Sequence, residues 1–158
     1  MKQTIIKSLL CTVMALLCLT ASAQVKEFEK YADTKNVTYV YISKYMIGMV
    51  GKMANMPGVP GVDVSSLSNK LSAIQIITSD DRDAGKKLKK EVQGILSSGK
   101  YEKLMQVNED NSKVNIYHSE GKQQSAVVMV TDGDGTVTVV VFSGKFNMDD
   151  VMKMTRRG

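Results

Sequence analysis

Apolar and polar positions along the chain change their spacing several times, and each change marks an element. Val25 to Ala32 predicts a short helix, with Phe28 and Tyr31 on one face. Asp33 to Asn36 is a turn. Val37-Thr38-Tyr39-Val40-Tyr41-Ile42 is almost wholly β-branched or aromatic and predicts a strand. Both faces of that strand are apolar, which suits a central position in a sheet. Ser43 can cap a helix running from Lys44 to about Met53, and the Pro/Gly stretch at residues 56–61 ends it. Val64 to Lys70 allows a helical turn. Leu71 to Thr78 is a second strand. Ser79 and Asp80 then introduce a helix carrying Ala84, Leu88, Val92, Ile95 and Leu96 at helical spacing, closed by Gly99.

The last third alternates with a period of two. Tyr101–Asn108, Lys113–Ser119, Gln124–Thr131 and Thr136–Ser143 read as four strands joined by short turns, the pattern of antiparallel hairpins. A helix from about Met148 to Thr155 follows, capped by Asn147. The fold class expected is α+β. It is a single mixed, mostly antiparallel sheet of about six strands with helices packed on one face, ending in a four-strand meander and a terminal helix.

The N-terminus breaks this pattern. Lys2 and Lys7 precede an apolar run from Ser8 to Leu19, followed by Ala21-Ser22-Ala23. Positive start, apolar stretch and A-x-A site together predict a secretory signal peptide cleaved after Ala23. The run is shorter than the about 20 apolar residues a spanning helix needs. Leu10 and Leu17 precede Cys11 and Cys18 where a lipobox requires a small residue, so soluble export is favoured over a lipoprotein. Residues 24–158 then form one domain, and no stable membrane insertion is expected. A periplasmic or secreted location follows.

Cleavage changes the chemistry left to the domain. Both cysteines leave with the signal, which excludes disulfides, thiol catalysis and cysteine metal sites in the remainder. Two of the 21 basic residues and none of the 16 acidic ones lie in that segment, so the working charge falls from +5 to +3. That is ordinary for solubility and gives no case for nucleic acid.

Few residues offer a reaction. His118 is the only histidine. It lacks a nucleophile and an orienting acid at recognisable spacing, and it reads as an exposed strand residue. Asp132-Gly133-Asp134-Gly135 begins like a calcium loop, but its twelfth position is Ser143 rather than glutamate, so a hairpin turn is the better reading. Lys86, Lys87, Lys89 and Lys90 read as the solvated side of an amphipathic helix. The methionines are more unusual. Met46, Met49, Met53 and Met56 are spaced three, four and three and form one helical stripe, and Met148 and Met152 repeat the i, i+4 relation. Such a stripe can pack as core, form an adaptable partner or ligand surface, or offer soft sulfur to Cu(I). Core packing is the expectation here.

Phe28-Glu29-Lys30-Tyr31-Ala32, Val37 to Lys44 with Met46, Leu71 to Ser79, and Gly144-Lys145-Phe146 with Val151 resemble a family of small exported proteins from Bacteroidetes classed as a domain of unknown function. The resemblance implies export and a shared α+β domain. It brings no activity and no catalytic residues.

The function expected is therefore non-enzymatic, with no cofactor: protein contact with another envelope protein, Met46, Met49, Met53 and Met56 being the candidate surface. The alternative is a carrier whose Met-lined helix and Pro/Gly loop cover an apolar pocket.

Overall fold

The computed structural model describes residues 25–50 and 69–155. The expected signal peptide, Met53, Met56, the Pro/Gly loop and the helical turn expected over Val64–Lys70 up to residue 68 lie outside the described residues. Within them the order is α1 (Lys26–Glu29), a 3₁₀ turn (Lys30–Asp33), β1 (Thr38–Ser43), α2 (Lys44–Val50), β2 (Leu71–Ser79), α3 (Arg82–Leu96), β3 (Glu102–Asn108), β4 (Ser112–Ser119), β5 (Ser125–Gly133), β6 (Thr136–Gly144) and α4 (Met148–Thr155).

The six strands form one open sheet in the order β1-β2-β6-β5-β4-β3. The C-terminal meander and terminal helix are as the alternation implies. Two details differ from expectation. Every ladder is antiparallel, so the sheet is not mixed. The helices also divide between the two faces instead of sharing one.

The division follows from side-chain alternation. On β6, Val137, Val139 and Val141 point one way, and Val140 and Phe142 the other. The first set meets Leu88, Val92 and Leu96 of α3 and Phe28 and Tyr31 of the N-terminal segment. The second set meets Ile47 of α2, Phe146 and Val151 of α4. A strand apolar on both faces must be covered twice, and the short helices supply the second cover. Leu71 joins Ile74 in the second cluster because the β2–β6 register shifts between Leu71 and Ala73. That bulge reverses the phase of the strand end.

β1 is an edge strand and not a central one. Thr38 to Ser43 pair with β2 alone, and Val40 and Tyr41 remain 42% and 39% exposed. Apolar residues on both faces suit a central strand, but β1 has a single neighbour and both of its faces stay partly open to solvent.

Local chemistry fixes the turns. Asp134 and Gly135 have φ of 51° and 78°, so the Asp-Gly pair forms a two-residue type I′ hairpin between β5 and β6. Helix α3 is capped by Asp81, whose Oδ1 accepts from the backbone N–H of Asp83 (3.1 Å) and Ala84 (2.8 Å). Ser79, expected at that cap, is buried and donates its hydroxyl to the Asn36 carbonyl (2.7 Å). Asn147 caps α4 as expected. It exchanges reciprocal bonds with Asp150, each 3.1 Å long, and Asp150 also pairs with Lys70 at 2.6 Å.

The N-terminal segment is held by a buried side chain. The Gln75 Oε1 accepts from the Val25 N–H (3.1 Å), and its Nε2 donates to the Tyr39 hydroxyl (3.0 Å). Gln75 is fully buried. Its amide does for Val25 what a neighbouring strand would do.

Candidate functional site

Helix α2 leaves β1 directly. The Ser43 hydroxyl accepts from the Met46 N–H at 3.4 Å, which meets one of the unpaired donors of the first turn. Two apolar stripes compete on so short a helix, one through Met46 and Met49, the other through Ile47. The sheet takes Ile47, which is 3% exposed and packs with Ile74 and Phe142. Met46 and Met49 are turned outward at 50% and 66% exposure, and Tyr45 stands at 88%. The expectation that this stripe packs as core is therefore wrong for its two described members. Met53 and Met56 fall outside the described residues. The i, i+4 pair of α4 divides: Met148 is partly buried against the second cluster, while Met152 is 49% exposed.

Val40 shares a sheet face with Ile42, the face that carries α2, and Tyr41 points to the other face. Val40, Tyr41, Tyr45, Met46 and Met49 thus gather large apolar exposure at one corner of the fold, where β1 turns into α2. Isolated apolar residues at a surface are normal, and five within the ten residues from Val40 to Met49 are less so.

The other candidates resolve differently. His118 is not an exposed strand residue. It is 4% exposed, its ring centroid lies 6.5 Å from that of Phe146, and its Nε2 has no hydrogen-bond partner. A catalytic base needs its nitrogen within reach of a hydroxyl, acid or substrate. The signal for its burial was present in the sequence: His118 shares its parity with Val114 and Ile116 on β4. Asp132 carries an ion pair with Lys89 of α3, so one of the four clustered lysines is a structural partner. Lys86, Lys87 and Lys90 are exposed, in keeping with a solvated helix side. Among the described residues no group of three His, Cys, Asp or Glu converges on a metal position. No described helix is long and apolar enough to cross a membrane.

Concavities exist but are open. One, of about 750 Å³, is lined largely by polar residues such as Asn36, Thr38, Thr78 and Asp80. Another, of about 710 Å³, lies between Lys70, Lys145, Phe146 and Asp150. Met46 and Met49 line neither.

Salt bridges and hydrogen bonds clamp the N-terminal segment from the opposite side. The Lys100 Nζ (2.6 Å) and the Tyr101 hydroxyl (2.9 Å) both donate to the Glu27 carboxylate. Burial alone would raise the Glu27 pKa, but those two hydrogen bonds and the Lys100 charge overcome it and hold the carboxyl below its ordinary value. Burial, together with the Glu27 bond and charge, pushes the Tyr101 phenol well upward. The Lys30–Glu91 pair (2.9 Å) lowers Glu91 and raises Lys30, in both cases mainly through their hydrogen bond. These groups tie elements together and are not poised for proton transfer near neutrality.

No curated protein and no solved structure matches the chain. A family model, that of the domain of unknown function DUF4252, matches residues 31–154. The match begins at Tyr31 in the 3₁₀ turn and reaches the last turn of α4, so it takes in the whole sheet. With the greater part of its length covered, the chain belongs to the DUF4252 family of domains of unknown function.

Proposed function

We propose that this protein works by non-covalent contact with another protein chain, through the apolar corner of β1 and α2, in the cell envelope after export directed by residues 1–23. The observation carrying the reading is the outward stripe of Tyr45, Met46 and Met49 on a helix whose Ile47 already serves the core. Methionine and tyrosine suit such a surface. Methionine adapts to a partner's shape, and tyrosine brings a large rigid area at small entropic cost. The export half rests on Lys2, Lys7, the apolar run and Ala21-Ser22-Ala23. The carrier alternative draws no support from Met46 and Met49, which point away from the core.

The test is site-specific photo-crosslinking in the producing cell, with the photoreactive side chain placed at Tyr45, Met49 or, as a control on the solvated side of α3, Lys90. Discrete adducts of fixed mass from positions 45 and 49, and none from 90, are expected. Equal, diffuse labelling from all three positions overturns the proposal.

A further inference from the structure

The two edges of the sheet are not equivalent. Strand β3 protects its own. Its ladder to β4 is interrupted between Lys103 and Met105, and Glu102 and Lys103 bring charge onto the strand. Bulges and edge charges are the usual devices that stop a sheet from growing. Strand β1 has neither. Its register with β2 runs without a shift from Thr38 to Ser43, and residues 36–43 contain no charged side chain. Every second residue of an edge strand turns its N–H and C=O outward. Among the described residues no strand covers those groups on β1.

Resting on the contact reading above, we infer that the partner is a second copy of this chain, joined β1 to β1 across a two-fold axis at Val40. The sequence of the strand is self-complementary in that register. An antiparallel pair about a two-fold axis normal to the sheet places Val40 against Val40 of the other copy, Tyr39 against Tyr41 twice, and Thr38 against Ile42 twice. Cross-strand aromatic and β-branched pairs stabilise a ladder, and no like charges meet. Centring on Tyr41 instead would set Lys44, the first residue of α2, opposite Thr38 inside the ladder. The Val40 register leaves Lys44 opposite Asn36, in the turn. A pairing of one short strand falls below the about 1,000 Å² of a specific interface. The exposed side of α2, on the same face as Val40, supplies further apolar area from both copies through Tyr45, Met46 and Met49. The product is a closed pair with one continuous twelve-stranded sheet, bounded on both outer sides by the protected β3 edge.

Charge exchange at the axis tests this. Val40 is 42% exposed and tolerates a polar chain in the single copy. Sedimentation of the purified protein is expected to show a dimer. Val40→Lys alone and Val40→Glu alone should each raise the dissociation constant at least tenfold, because like charges then face each other across the axis. An equimolar mixture of the two variants should restore the dimer. Recovery in the mixture also shows that both variants fold. A wild-type monomer at about 100 µM, far above the micromolar range of weak specific pairs, overturns the inference. So does a dimer that the single substitutions leave intact, or a mixture that stays monomeric. Discrete adducts from Tyr45 to a different protein, with the wild type monomeric, would sink self-pairing while keeping the contact reading.

Discussion

At the scale of single residues, Gly144 is the tightest of the described glycines. A Cβ placed there would lie 2.2 Å from the Lys70 carbonyl oxygen and 2.9 Å from the Leu71 Cα. Those neighbours are backbone and cannot step aside as a flexible side chain can. The next residue, Lys145, donates its N–H to the same Lys70 carbonyl at 2.9 Å. Gly144→Ala is therefore expected to destabilise the fold by about 1–3 kcal/mol, the usual cost of overpacking, measured by urea denaturation. Gly144-Lys145-Phe146 was legible in the sequence as a shared stretch, but its reason was not. The close approach depends on a chain segment some seventy residues away. His118 and the Met46/Met49 pair show the same limit in two forms. Parity on β4 was enough to place His118 inward. Nothing in the spacing of α2 could decide between the Ile47 stripe and the methionine stripe, because that choice belongs to the sheet beneath.

Among the elements, α3 shows both what periodicity reveals and what it leaves out. Its buried face of Leu88, Val92 and Leu96 follows the i, i+4 spacing directly. Gly85 and Gly94 look alike in the sequence, as two flaws in one helix. In the fold they differ. Gly85 is buried and a Cβ on it would touch Val137 of β6, whereas a Cβ on Gly94 would meet nothing within 4 Å. Gly94→Ala should therefore stabilise the protein by about 0.8–1 kcal/mol, read as a rise in Tm by calorimetry. The hairpin between β5 and β6 was legible for a simple reason, since Asp-Gly meets the local demand for two positive φ values. Edge or centre for β1 was not legible, because composition reports how apolar a strand is and not how many neighbours it has.

For the whole molecule, charge joins what the sheet does not. Glu27 reaches Lys100 and Tyr101, and Glu91 reaches Lys30, so two carboxylates secure the N-terminal segment against distant elements. Both have folded-state pKa values below the ordinary 4.5. The sign is fixed: such groups contribute stability that is complete above the unfolded value and lost as pH falls through the folded one. Tm is expected to decline as pH drops below about 4.5, and Glu27→Gln should lower Tm at neutral pH while flattening that decline. Lys30 acts oppositely. Its raised pKa gives a contribution that is complete below the ordinary 10.5 and lost at higher pH.

Strand β2 carries one latch for each end of the described chain. Val25 is held by the Gln75 amide from within β2, and α4 by Lys70, the residue just before it. Small domains ordinarily open most cheaply by fraying from their termini. Here, peeling back the first segment strips a fully buried amide of its partners, and lifting the last helix separates Asp150 from Lys70. Both ends of the described chain are thus anchored within six residues of one another, within and just before a single strand. Fraying at either end of the described chain is made costly by the strand that lies between β1 and the rest of the sheet.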